Sequence, residues 1–288
     1  MEGALCMIEA LTSASERELY DFFTNNRHGV PYYFPTDFDT WRASLLNDTG
    51  YDGTPLFKET ATFLLRESGA IWGFIQLAVT AFAFAPNGTE DRSLSYGIIR
   101  NLYFLPGCAN SHLLMACATD YFGQKGVDKP YAFFHYFGMS CYARQGKLHE
   151  SAFHIETLLK KYGYKKEHEN IYFSKQLSDD FVDDPEIAFA YTGETSLSFQ
   201  NGTEKIGGCE LYFVPHSTIC FLKWIYVDKA LSHKGYGTRC MKKLFYALRQ
   251  KGISQLDTDT ADSNVIAQNY YHKMGFSHRG TMRSYLVL

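Results

Sequence analysis

Apolar residues recur along this chain with two different periods, and the switches between them outline its elements. Residues 7–11 read as a short strand. Ser13 and Glu16 have the spacing of a capping box, and Leu19, Phe22 and Phe23 follow at helical intervals. A second short helix is predicted around Trp41 and Leu45. Three strand-like runs come next, over 61–66, 70–83 and 95–104. A helix over 113–122 leads to an apolar strand at 131–134. Ile155, Leu158, Leu159 and Tyr162 fall at i, i+3, i+4 and i+7, so they share one helix face, and Gly163 stops that helix. A strand over 171–176 closes this half.

Residues 177–185, LSDDFVDDP, carry four aspartates and a terminal proline. They read as a solvated linker or domain edge, with an ordinary polar loop as the alternative. Beyond them the order of elements partly repeats. Residues 197–199 and 204–213 form a hairpin around Asn201-Gly202, and 219–227 a strand. A helix over 236–250 places Tyr236, Cys240, Leu244, Ala247 and Leu248 on one face. A strand over 255–259, a helix over 264–274 ended by Gly275, and a strand from Ser277 complete the chain. Both halves read β-β-β-α-β-α-β, and both place glycine plus an aromatic after the last helix (Gly163-Tyr164 and Gly275-Phe276). Self-similarity over so long a period predicts a duplicated unit. The expected fold class is therefore α/β of the α+β kind: two units, 1–177 and 186–288, each a mixed, mostly antiparallel sheet flanked by helices. The second lacks the two leading helices of the first.

Composition narrows the partners. The chain has 288 residues, with 28 Lys plus Arg against 31 Asp plus Glu and a formal net charge of −3. That balance argues against a duplex-DNA binder, which needs a cationic face for phosphates. The 21 Tyr, 23 Phe and 3 Trp exclude disorder. Seven cysteines are scattered with no C-x-x-C pair, which favours reduced, buried thiols in a cytoplasmic protein. No basic segment followed by an apolar run opens the sequence, so no secretory signal is expected. The longest apolar stretch, residues 70–85, falls short of the about 20 residues a membrane-crossing helix needs. A buried strand is expected there, and no membrane partner.

Candidate chemistry is concentrated in residues 225–237, IYVDKALSHKGYG, which a helix follows. Strand, short loop, Gly-x-Gly and helix make an arrangement that binds phosphate. Gly235 and Gly237 allow backbone angles closed to other residues, and free N–H groups at a helix start hold an oxyanion. Lys234 and His233 add charge. Alone, this piece also reads as a plain turn before a helix. The second piece is Asn264-x-x-Ala267-x-x-x-Tyr271-x-x-x-Gly275-Phe276, an amphipathic helix with a glycine cap onto which Phe276 packs back.

In this order and spacing the two pieces resemble the GNAT superfamily of acyl-CoA-dependent N-acyltransferases. The family's strand signature is hydrophobic-x-Val, then Arg or Gln, x, x, Gly, x, Gly or Ala. Here it reads Ile225-Tyr226-Val227 and Ser232-His233-Lys234-Gly235-Tyr236-Gly237. The second motif is present in full. The match covers about 219–288, whereas the first half resembles the family only in element order. Ser232 stands where the family has Arg or Gln, which removes a long donor from the phosphate loop.

The resemblance implies two GNAT-like units and an N-acetyltransferase that uses acetyl-CoA as cosubstrate. The acceptor is expected to be a small-molecule amine, attacking directly in a ternary complex. Residues Lys234 to Thr238 would hold the pyrophosphate, with Asn264 a further cofactor contact. The backbone of Ile225, Tyr226 and Val227 would take the pantetheine arm as an added strand and polarise the thioester carbonyl. Tyr271 stands where the family's general acid stands, and a phenol keeps its proton at neutral pH; packing for bulk is its plain alternative. Asp259 stands where the family's ribosomal-protein alanine acetyltransferases have an acidic base. Glu210 is the competing carboxylate, and backbone plus water is a third option. The alternatives for the whole are a non-catalytic CoA-binding or sensory protein, a peptide N-acetyltransferase, and a transferase for a longer acyl group.

The first half departs from these motifs. Its loop, Leu105-Pro106-Gly107-Cys108-Ala109-Asn110-Ser111, has no Gly-x-Gly, and the position matching Tyr271 falls on Leu159. It is expected to be a degenerate copy that transfers nothing and completes the acceptor site of the second, with residues 30–35 as a contributor. His149 and His154 resemble a zinc-protease motif but are five apart rather than four, so they leave one helix face. No metal is expected.

Overall fold

The computed structural model describes residues 6–27, 32–50, 53–193 and 195–288; Val30 and Pro31 of the aromatic loop lie outside them. In chain order the elements are β1 (Cys6–Ala10), α1 (Glu16–Arg27), α2 (Phe38–Leu46), β2 (Phe57–Glu67), β3 (Ala70–Thr80), β4 (Ala83–Phe84), β5 (Glu90–Asp91), β6 (Gly97–Phe104), α3 (His112–Gln124), β7 (Tyr131–Ala132), β8 (Leu148–His149), α4 (Phe153–Lys161) and β9 (Tyr164–Gln176). There follow β10 (Ile187–Tyr191), β11 (Ser196–Asn201), β12 (Glu204–Phe213), β13 (Ile219–Val227), α5 (Tyr236–Gln250), β14 (Gln255–Ala261), α6 (Val265–Lys273) and β15 (Ser277–Val287). Among the described residues no helix is long and apolar enough to cross a membrane.

Two compact units result. One takes in the chain up to Glu169 together with Met282–Leu288, and the other is Asn170–Thr281. This differs from the 1–177 and 186–288 division drawn from composition, because β9 and β15 each contribute residues to both units. A linker is read from local polarity, whereas strand pairing is a tertiary property.

In the first unit β1, β2, β3, β6 and β7 lie side by side, antiparallel except for β6 with β7. The last stretch of β15 completes this sheet, with Tyr285 opposite Ala132 and Met282 opposite His149. The predicted face of α4 is buried in the core: Ile155 and Leu159 have no exposure, packed with Leu65, Ile99 and Leu114. The apolar run from Ala70 is a strand, and its polar Gln76 is satisfied, donating to Leu45 O (2.6 Å) and accepting from Asn101 Nδ2 (2.7 Å). The capping box expected at Ser13 and Glu16 does not form. Ser15 Oγ instead bonds Thr12 N and O, and Arg42 of α2 takes the Glu16 carboxylate.

The second unit orders its strands β10-β11-β12-β13-β14, then residues 170–176 of β9 antiparallel to β14; only β13 and β14 run parallel. Strand β10 escapes a periodicity reading because IAFAY is short and follows directly on the acidic stretch. Helices α5 and α6 bury Cys240, Leu244, Leu248 and Tyr271 with Leu222, Leu256 and Phe276. Three of the four aspartates of 177–185 are tied to one helix. Asp184 forks onto Arg239 (2.7 and 2.9 Å), Asp183 pairs with Lys243 and Asp179 with Arg249, all on α5.

In the first unit Arg100 has no exposed side-chain surface and pairs with Asp48, itself 3% exposed. Asp48→Ala would leave that guanidinium buried and unanswered. It should destabilise the first unit by about 3–5 kcal/mol, measured by denaturant unfolding.

Candidate active site

Strands β13 and β14 pair from Ile219 and Gln255 to Leu222 and Thr258, and there the pairing stops. Both strands run on, to Val227 and Ala261. On its other edge β13 stays paired with β12 as far as Val227 opposite Gly207. The register there slips: Leu211 faces Leu222 and Glu210 faces Trp224, so Lys223 is surplus. A bulge of this kind bends the strand that carries it. Residues 223–227 therefore present, toward β14, a backbone edge without a strand partner among the described residues. An extended ligand can pair with such an edge.

The chain leaves β13 through tight turns. Lys229–Leu231 is a 3-10 turn, and Ser232 N donates to Lys229 O (3.1 Å) and Lys234 N to Leu231 O (3.4 Å). His233 and Gly235 take left-handed φ values of 62° and 86°, the latter at the cap of α5. The amides of Tyr236, Gly237 and Thr238 have no acceptor among the described residues, and they stand at the positive end of the helix dipole. Ser232, His233, Lys234 and Gly235 are exposed beside them. Tyr270 donates to Gly237 O at 2.7 Å, and Tyr236 accepts from Asn201 Nδ2 at 3.0 Å, which pins the loop on two sides.

Tyr271 is 5% exposed, its ring held by Phe173, Phe276 and Tyr270. Burial pushes its phenol above the usual range, against a hydrogen bond with the Thr258 side chain. Thr258 Oγ1 donates to Leu222 O at 2.8 Å, and these two are the last paired residues before the strands part. Asn264 caps α6, its side-chain oxygen accepting from Ala267 N at 3.1 Å.

The two candidate bases differ in their surroundings. Side chains alternate along a strand, so Asp259 points to the face of β14 opposite from Thr258; it sits half-buried across from Tyr172. Glu210 has both oxygens engaged, one by Lys223 Nζ and one by Trp224 Nε1, each at 2.8 Å.

Two features escaped the sequence reading. Asp257, with no exposure, accepts from Tyr172 (2.5 Å) and Gln255 (2.9 Å), and burial pushes its carboxyl up to about 6. Its alternation with Asp259 in DTD was the available signal. Trp224 and Tyr226, each 42% exposed and 5.8 Å apart, form an aromatic shelf. Gly208 lies against it, since a Cβ there would come 3.2 Å from the Tyr226 ring. Among the described residues no cluster of three His, Cys, Asp or Glu stands ready for a metal.

Residues 157–276 match the profile of the acetyltransferase (GNAT) family. This segment belongs to the GNAT family. GNAT proteins use acetyl-CoA as cosubstrate, and the unpaired β13 edge and open α5 amides are of the kind its amides and pyrophosphate require. Solved structures share the fold along the whole chain. A tandem GNAT protein from the clavulanic acid biosynthesis pathway is 11% identical, with 98% of each chain covered and a TM-score of 0.69. A GCN5-related N-acetyltransferase from Sphaerobacter thermophilus is 9% identical, covering 98% of this chain and 95% of that one, at a TM-score of 0.64. A fungal multi-domain GH3 β-N-acetylglucosaminidase with a GCN5-related glucosamine N-acetyltransferase region is 12% identical, at a TM-score of 0.68. There the match covers 99% of this chain but only 38% of the fungal one. No curated protein sequence matches the chain.

Gly235→Ala, which forces a Cβ into left-handed backbone, should cost about 1–2 kcal/mol and weaken acetyl-CoA binding in calorimetry. Asp257 makes a pH prediction. A carboxyl raised by folding contributes stability that is complete below its unfolded value and lost as pH rises through about 6. Unfolding midpoints stepped from pH 4 to 7 should therefore fall for wild type relative to Asp257→Asn, by on the order of 2–3 kcal/mol.

Proposed function

We propose that the second unit transfers an acetyl group from acetyl-CoA to a small-molecule amine, by direct attack in a ternary complex. The observation that carries this reading is the parted end of β13 and β14 beside the open amides of α5. One slot thus offers a strand edge and an anion-binding end to a single ligand. Acetyl-CoA supplies an activated acyl thioester. Tyr236, Gly237 and Thr238 take its pyrophosphate on their amides, with Ser232, His233, Lys234 and Gly235 around them. The backbone of Ile225, Tyr226 and Val227 pairs with the pantetheine amides and sets an N–H against the carbonyl. Asn264 spends its oxygen on the helix cap, so its NH2 remains to donate.

Tyr271, kept protonated by burial, donates to the departing thiolate. On the other face of β14, Asp259 takes the proton of the amine. Glu210 is the weaker candidate, because Lys223 and Trp224 already hold both of its oxygens. The second reading, a CoA-binding protein without turnover, is favoured by Ser232, which stands where the family has a long donor in the phosphate loop.

Thiol release should be screened over a panel of amines, headed by amino sugars because the fungal neighbour's region is a glucosamine N-acetyltransferase. Tyr271→Phe should lower kcat about 100-fold or more and leave the KM for acetyl-CoA within about twofold. Acetyl-CoA binding in calorimetry with no thiol release from any amine would select the second reading.

A further inference from the structure

The exposed rings of Trp224 and Tyr226 belong to the stretch of β13 that has lost its strand partner. Beyond the surplus Lys223 the side chains alternate anew. Ile225 and Val227 pack toward the core shared with α5 and α6, so Trp224 and Tyr226 turn to the opposite face of the sheet. Across from them on β12 stand Glu210 and Gly208. A Cβ on Gly208 would come 3.2 Å from the Tyr226 ring and 3.7 Å from Trp224 Cζ3, so both rings lie over this glycine. Trp224 is also pinned, because its Nε1 donates to Glu210 at 2.8 Å. Asp259 shares their face: Leu256 of β14 lies in the core, and Asp257 and Asp259 alternate with it.

Aromatic faces with a fixed carboxylate at their rim suit one kind of amine. The partly positive C–H groups on one side of a saturated ring settle on the negative face of an aromatic ring. A carboxylate has about four acceptor positions, and those of Glu210 are occupied only by Lys223 Nζ and Trp224 Nε1. Lys223 balances the charge, so Glu210 offers the shelf a hydrogen-bond acceptor rather than an open ion-pair site. Hydroxyls set around a ring can use it, whereas a plain alkyl or aryl amine has no such donor. The position also fits. The shelf projects from the residues whose backbone is assigned to the thioester, so a ring lying on it carries its amine to the acyl carbon, on the face that holds Asp259.

We infer that the acceptor is an amino sugar, its ring stacked on Trp224 and Tyr226 and a hydroxyl donating to Glu210, which makes these three the specificity-determining residues. The inference rests on the acetyl-transfer reading of the second unit, but the two fail separately. Glucosamine, cyclohexylamine, tyramine and putrescine are titrated by calorimetry into the full chain without acetyl-CoA, since the pinned shelf needs no cofactor to form. Glucosamine is expected to bind about tenfold more tightly than any of the other three. Trp224→Thr and Tyr226→Thr, both at exposed strand positions, should each weaken it about fivefold or more. Glu210→Gln should shrink the preference for glucosamine over cyclohexylamine, which keeps ring and amine but lacks the hydroxyls. In turnover, Trp224→Thr should raise the KM for glucosamine and leave that for acetyl-CoA within about twofold. Sugar binding without acetyl-CoA binding would defeat the transfer reading alone. Tighter binding of tyramine, cyclohexylamine or putrescine than of glucosamine, or unchanged glucosamine binding in Trp224→Thr and Tyr226→Thr, would overturn the inference.

Discussion

Two parallel strands forced apart after four residue pairs set the terms for the second unit. Buried backbone groups in a sheet are almost always paired, so a strand that abandons its neighbour in mid-course needs a mechanical cause. Here the cause is one surplus residue, Lys223, on the edge that stays zipped to β12. Its ammonium is tied to Glu210, and Trp224 is tied to the same carboxylate. At the fork, Thr258 clamps Leu222 O and so fixes where the opening starts. Helices α5 and α6 pack one face against the same sheet, which is why Tyr271 shares a core with Leu222.

The local half of this arrangement was legible in the amino-acid sequence. Helix 236–250 follows from its periodic face, the glycine at 235 from the left-handed turn it must make, and the end of the last helix from Gly275. What was not legible is register. No residue pattern announces that pairing ends at Leu222 and Thr258, because Lys223 becomes surplus only against β12. The same limit hid β10 and made the acidic stretch look like a linker, since its partners Arg239, Lys243 and Arg249 lie more than fifty residues away on α5. Asp259 was visible as a carboxylate, but that it points to the face of β14 opposite from Thr258 depends on the strand's pairing.

The first unit lacks the strand fork of the second. There β7, the parallel partner of β6, ends at Ala132 while β6 continues along β3 to Phe104, no Gly-x-Gly turn follows, and Leu159 lies buried in the core. The two units therefore differ in the strand fork as well as in the loop that follows it.

The sharing of β9 and β15 between the units bears on how the chain can be divided. A cut anywhere in the acidic stretch would strip residues 170–176 from the sheet that contains β14, leaving that strand as a bare, sticky rim. It would equally deprive the other sheet of 282–287. Each half carries a piece of its sibling's scaffold, so the repeat has become a single indivisible polypeptide.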